Sequence, residues 1–272
     1  MAMTSESGRL DFQSKLRSSR KITVLTGAGV SAESGIATFR RAGGFWRRYQ
    51  AQDLASPEAW ARDPGLVWEF YNHRRTASCN AMPNPAHRAI ATLEARWRKA
   101  GGTFTLLTQN IDDLHEQAGS QSIVHLHGSI WHVRCVACGE VTPNRNIPIT
   151  PAFAGSGSPD PAFRARHFAE TDLPHCACGG VLRPHVVWFG EALESKHLIA
   201  AADAVNGCDV MLVVGTSAVV HPAAGFVTLA KRHGTNIAEV NIEASAVNDV
   251  CDWFFEGKAG DMLPLLLDIE PA

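Results

Sequence analysis

Three groupings of residues in this chain have types and spacings able to do chemistry. The first is Gly27-Ala28-Gly29, with Ser31 and Glu33 close behind, set directly after the apolar run ITVL at 22–25. A strand that opens through glycines into a helix lets the backbone approach an anionic ligand, and the free N–H groups at the helix start face it. Alone, that pattern is equally the mark of an ordinary strand-to-helix turn. The second grouping is Cys135-x-x-Cys138 with Cys176-x-Cys178, each pair followed by a glycine. Two close pairs of thiolates suit tetrahedral Zn²⁺, and a site closed by four sulfurs leaves no open position, so the metal would be structural. A single residue separates the second pair where two or more are usual, which leaves His175 or His185 as substitutes for one thiolate. The third is a recurrence of small or polar residues where apolar runs end: Thr108-Gln109-Asn110-Ile111-Asp112, His127-Gly128-Ser129, Gly215-Thr216-Ser217 and Asn241-Ile242-Glu243.

The runs before those endings lie at 104–107, 123–126, 210–214 and 237–240, and with 22–25 they make five strands. Helical stretches at 85–99, with Ile90, Leu93 and Trp97 on one face, and at 223–232 fall between several of them. Strands that all end in polar residues build a site beyond the carboxyl edge of a doubly wound sheet. The fold expected is α/β, a Rossmann-like parallel sheet with helices on both faces plus a small zinc-binding module. Residues 1–20 are polar and read as a flexible N-terminal tail or a short helix. Residues 21–130 and 185–272 form the nucleotide-binding domain, with a helical insertion at about 41–80, and 131–184 form the zinc module. In the insertion, 41–50 mixes glycine, aromatic and basic residues, as a mobile loop closing on a ligand would, and 57–78 reads as one helix. A dinucleotide site wants an acid at the end of its second strand; Asp53 has the spacing but follows no strand, whereas Glu243 does.

With 272 residues and 45% hydrophobic content the chain can bury a large core. A net charge of −2 argues against a nucleic-acid partner, and no apolar run approaches the ~18 residues of a membrane span. The first 20 residues lack the apolar centre of a secretory signal, so an intracellular, cytoplasmic and monomeric protein is expected, its seven cysteines serving as metal ligands or free thiols.

Read together, these residues resemble the sirtuins, the NAD-dependent protein-lysine deacylases. The likeness rests on Gly27-Ala28-Gly29-Val30-Ser31, the stretch GIATFR at 35–40, 108–112, Leu126-His127-Gly128, the paired cysteines Cys135, Cys138, Cys176 and Cys178, LRPHVVWFGE at 182–191, 215–217 and 241–243. Ala37 departs from the family, which has proline there. The resemblance implies NAD as co-substrate, structural zinc, and acylated lysine side chains of proteins as partners. It makes His127 the general base, a task for which imidazole has a suitable pKa; the plainer reading of the residue is a strand-end histidine bonded to backbone. It assigns NAD contacts to Gly27, Ala28, Gly29, Ser31, Glu33, Phe39, Arg40, Trp46, Gln109, Asn110, Ile111, Asp112, Gly215, Thr216, Ser217, Asn241, Ile242, Glu243 and Ala259. Val187, Phe189 and Gly190, in an extended segment at 187–191, would pair with the substrate backbone.

Tyr71 and Arg74 stand three apart on one helix face. They resemble the pair of the class III, desuccinylase and demalonylase branch, in its bacterial form, where an arginine fork and a phenol grip a carboxylate at the end of the acyl chain. Ala42 would leave room for that chain. The activity implied is removal of succinyl or malonyl groups, and acetyl groups too, yielding nicotinamide, O-acyl-ADP-ribose and free lysine. A mono-ADP-ribosyltransferase and a non-catalytic NAD or acyl-lysine sensor are the alternatives.

Overall fold

A computed structural model describes residues 6–38, 44–163 and 166–269. The chain begins with α1 (Glu6–Ser18) and β1 (Lys21–Thr26), then α2 (Gly29–Ala32). A two-residue hairpin, β2 (Phe45–Trp46) and β3 (Tyr49–Gln50), leads into α3 (Ala51–Leu54), α4 (Pro57–Arg62) and α5 (Pro64–Asn80). Next come α6 (Pro85–Lys99), β4 (Thr103–Thr108), α7 (Leu114–Gln117) and β5 (Ile123–His125). The strands β6 (Gly128–Cys135), β7 (Val141–Pro143) and β8 (Leu182–Val186) follow. The chain then returns through α8 (Ser195–Val205), β9 (Val210–Val214), α9 (Ala223–Arg232), β10 (Asn236–Asn241), β11 (Trp253–Glu256) and α10 (Ala259–Leu266).

Six strands form one parallel sheet in the order β11-β10-β9-β1-β4-β5. Strand order reverses at β1, with β4 on one side and β9 on the other, so the crevice for a ligand opens at the carboxyl ends of these strands. Alternation along β1 fills both faces. Ile22 and Val24 point into a core with α6 and α10, while Leu25 joins Met211 and Val213 under α8 and α9. The sequence-based expectation of five strands missed β11, whose Trp253 and Phe255 lie on that first face.

Of the two readings of the N-terminal segment, the flexible tail is corrected and the short helix holds. Residues 6–18 are a docked helix: Phe12 and Leu16, one turn apart, are buried, Phe12 meets Trp253 and Phe255 edge-on, and Gln13 donates to the carbonyls of Leu265 and Leu266. Burial of Phe12 on β11, and of Leu16 in the same core, outweighs the polar composition of the segment.

The expected helix at 57–78 is two helices. Asp63 caps the second by accepting from Leu66 N–H, and Pro64 takes its first position, where a missing N–H costs nothing. Nor is 44–50 a loose lid. Arg47, with its backbone in the left-handed region at φ 52°, donates to Ser158 O and forms a buried two-pronged pair with Glu69 of α5. The second lobe is an antiparallel sheet, β7-β6-β8, packed on α5. Its strands begin at 128 and end at 186, so a module drawn at 131–184 cuts both outer ends. The insertion and the module share one core, built around Trp68, Phe70, Tyr71, Trp131, Phe153 and Trp188. Arg75 pins them together by donating to Ile130 O, Asn144 O and Asn146 O.

Candidate functional site

A cavity of about 840 Å³ lies between the carboxyl ends of the parallel sheet and the second lobe. The loops after β1 and β9 form its floor by approaching more closely than side chains permit. A Cβ on Gly29 would stand 2.7 Å from Gly215 O, and one on Gly215, at φ 59°, would stand 2.5 Å from Val30 N. Gly27, Ala28, Gly29, Ser31, Glu33, Gln109, Asn110, Ile111, Asp112, Gly215, Thr216, Ser217, Asn241, Ile242, Glu243 and Ala259 all line this one space. Gln109 Nε2 donates to Thr216 Oγ1 and Asn241 Nδ2 to Thr216 O, which ties the ends of β4, β9 and β10 together. Glu33 accepts from Gly260 N–H and so caps α10. Asp53 does not line the cavity.

Beside the floor, Ser31 Oγ donates to Asp112 Oδ2 at 3.0 Å and accepts from Asn110 Nδ2 at 3.0 Å. Burial raises the Asp112 pKa, opposed by Leu114 N–H, the Ser31 hydroxyl and the Arg74 charge. His127 lines the same cavity. Its Nδ1 lies 3.0 Å from Gln109 O. A carbonyl can only accept, so Nδ1 carries the hydrogen and Nε2 keeps its lone pair. The strand-end backbone bond and the role of a base are thus compatible readings of one residue. Burial lowers the His127 pKa, which favours the neutral ring at pH 7.

Tyr71 and Arg74 reach the cavity from α5, and Val187, Phe189 and Gly190 from the segment after β8. That segment is extended only as far as Trp188. Val187 N–H donates to His127 O, then a turn at 189–190 bends the chain, with Gly190 at φ 89°. Tyr71 is fully buried, its hydroxyl accepts from Trp188 Nε1 at 2.9 Å, and burial pushes its pKa up to about 12. Trp188, Gln52 and His221 also line the space, and sequence reasoning did not assign them. Their signal was position alone: Trp188 sits within 187–191, and His221 lies a few residues past Ser217 in the β9–α9 connection.

Trp46 is a correction. Its ring lies in the second-lobe core against Phe70, its Nε1 donates to Gly157 O, and it does not line the cavity. Phe39, Arg40 and Ala42 lie outside the described residues.

The four sulfurs of Cys135, Cys138, Cys176 and Cys178 all lie within 4.8 Å of one another, and none of these residues lines the cavity. Two of the separations are 3.5 and 3.8 Å. A zinc–sulfur distance of about 2.3 Å requires an edge near ~3.8 Å, so the donor set fits zinc. Cys138 N–H donates to Cys135 Sγ, a bond that favours the thiolate. The histidine substitutes are engaged elsewhere: His175 Nδ1 with Leu173 O, and His185 Nε2 with Glu194. Among the described residues no helix is long and apolar enough to cross a membrane.

Comparison with known proteins adds an independent line. The model of the Sir2 family matches residues 27–222. The "NAD-dependent protein deacylase sirtuin-5, mitochondrial" of Danio rerio is 48% identical over 260 residues, covering 94% of this chain and 85% of the relative. The "NAD-dependent protein deacylase" of Daphnia pulex is 48% identical over 259 residues and 94% of both chains. Among solved structures, a "Sir2 homolog-NAD complex" superposes with a TM-score of 0.82 at 40% identity, covering 95% of this chain and 92% of that one.

Proposed function

This chain belongs to the Sir2 family, and we propose that it is an NAD-dependent deacylase of protein lysine side chains that removes succinyl and malonyl groups and, more weakly, acetyl groups. The observation that carries the acyl preference is that Arg74 and Tyr71 line the same cavity as His127 and the glycine floor. NAD supplies the ribose carbon that receives the acyl oxygen, with nicotinamide, O-acyl-ADP-ribose and free lysine as products. The chain's own work is to hold and to move protons. Gly27, Ala28, Gly29, Gly215, Thr216 and Ser217 would take the phosphates and adjoining ribose; Asn241, Ile242, Glu243 and Ala259 the adenosine end; Ser31, Gln109, Asn110, Ile111 and Asp112 the nicotinamide end. His127 Nε2, the unprotonated ring atom, takes up a proton from the hydroxyl set against it. Val187, Phe189 and Gly190 receive the substrate backbone.

Arg74 and the Tyr71 hydroxyl, whose acceptor role Trp188 fills and whose proton can donate, receive the acyl carboxylate. A neutral acetyl group offers that arginine no carboxylate to grip, and such a difference separates substrates strongly. The reading also takes the protein as a cytoplasmic monomer acting on protein substrates, without nucleic acid or membrane, and with zinc held by the four cysteines.

The test is one peptide carrying succinyl-lysine or acetyl-lysine, with and without NAD, followed by mass and nicotinamide release. Succinyl removal that needs NAD, and that Arg74→Met abolishes while sparing acetyl removal, is the expected result. Acetyl removal alone refutes the carboxylate clamp. ADP-ribose transfer to protein, or binding without turnover, refutes the deacylase.

A further inference from the structure

Behind Ser31 the polar network continues to a buried histidine with no contact to the cavity. His87 stands at the third position of α6 and is fully buried. The backbone N–H of Asn84 donates to His87 Nδ1 at 3.3 Å, while Asn84 Oδ1 accepts from Ala86 N and His87 N. A backbone amide cannot accept, so Nδ1 holds a lone pair and the ring hydrogen is on Nε2. His87 Nε2 lies 3.4 Å from Ser31 Oγ. The serine oxygen therefore receives two donors, His87 Nε2 and Asn110 Nδ2, and its single proton is committed to Asp112 Oδ2. In the other tautomer His87 would compete for that proton and leave the carboxylate without it. Asn84 Nδ2 also donates to Val30 O and Ser34 Oγ, which fixes the cap against the glycine loop.

We propose that His87 is a positioning residue: its tautomer, set by the cap of α6, aims the Ser31 hydroxyl at Asp112 and keeps that carboxylate an anionic acceptor at the nicotinamide end of the cavity. The role at that end rests on the function proposed above; the relay itself does not. The groups facing Asp112 are Arg74 from α5, Glu116 from α7 and Ser31 from α2, and those facing His87 are Arg88 on its own helix and His115 from α7. Burial lowers the His87 pKa to about 4, in keeping with a ring that stays neutral.

Two amide variants separate capping from relay. Glutamine is the usual capping-box residue at this position and offers both an acceptor for Asn84 N–H and a donor for Ser31; asparagine serves the cap but stops a methylene short of Ser31. In ligand-free protein, carboxyl-carbon NMR of Asp112 should titrate at a higher pH in His87→Asn than in wild type, and at the wild-type pH in His87→Gln. In the turnover assay the KM for NAD should rise on the order of fivefold in His87→Asn, the size of one hydrogen bond, with the acid limb moved to higher pH and little change in kcat. Ser31→Ala should erase the difference between the two variants. Equal behaviour of the Asn and Gln variants, or an Asp112 midpoint unmoved in His87→Asn, overturns the relay. A wild-type protein that does not bind NAD overturns the proposed function instead, and the carboxyl titration still judges the relay.

Discussion

His127 can act as a base only while Nε2 is unprotonated, and its surroundings arrange that. Gln109 O takes the Nδ1 hydrogen and burial lowers the ring's pKa below its usual 6.5. Lowering the pH through that depressed value protonates Nε2 and removes the base, so kcat/KM for acyl-peptide should fall on the acid side with a midpoint below 6.5 and stay flat from pH 7 to 8. A midpoint above 7 would contradict it. His127→Ala should cost roughly 10²- to 10⁴-fold in kcat, the usual share of general base catalysis, while peptide binding by calorimetry persists. Tyr71 is constrained differently. With its pKa near 12 it is a neutral hydroxyl throughout the working range. Tyr71→Phe removes the acceptor of the buried Trp188 Nε1–H. Two losses are expected: succinyl-peptide KM rises more than acetyl-peptide KM, and unfolding free energy in urea drops by about 1–3 kcal/mol, the cost of a stranded buried donor.

Elements, rather than residues, decide how pH acts on stability. The cap of α6 needs a neutral His87, since a proton on Nδ1 would face the Asn84 N–H. Above pH 6.5 both folded and unfolded chains keep this ring neutral; between 6.5 and about 4 the unfolded chain binds a proton that the folded one excludes. Stability should therefore decline as pH falls through that window, His87 contributing roughly 3 kcal/mol. His115 and His185, also shifted down by burial, act in the same direction. Urea unfolding at pH 7 and pH 5 should show the decline, and His87→Gln should shrink it; an unchanged slope would refute the assignment.

The same scale explains what the sequence made legible. Strands β1, β4, β9 and β10 were readable because their apolar runs stop at polar residues, and α6 and α9 because their apolar positions repeat at helical spacing. Helix α1 could not be told from a loose tail, since its docking rests on Phe12 finding β11 more than 230 residues away. Likewise the pinning of 44–50 depends on Glu69 and Ser158, partners that no local pattern reveals. Trp46 was assigned to the site by the family resemblance, yet its indole is engaged by Gly157 and Phe70.

At the scale of the whole molecule, the two lobes have separate cores and different sources of stability. The parallel sheet holds its strands through a ladder of paired backbone and two apolar faces. The second lobe spends much of its length in loops; Arg75 and Trp68 Nε1, which donates to Leu182 O, fasten 131–184 to α5, and the four-cysteine cluster ties 135–138 to 176–178 within it. A loop-rich segment of that size depends on its metal for folding free energy. The core that would loosen without it contains Tyr71 and Trp188, so metal loss should reach the acyl pocket before it reaches the glycine floor, which belongs to the sheet. Tryptophan reports this directly: Trp46, Trp60, Trp68, Trp131 and Trp188 lie in the second lobe, and only Trp97 and Trp253 lie against the sheet. Stripping zinc with a strong chelator, or Cys178→Ser, should red-shift the emission strongly, change far-UV circular dichroism little, and weaken acyl-peptide binding more than NAD binding. One concerted transition in all four signals would mean that the lobes do not separate energetically. An unchanged emission would mean that the shared aromatic core, not the metal, holds the second lobe together.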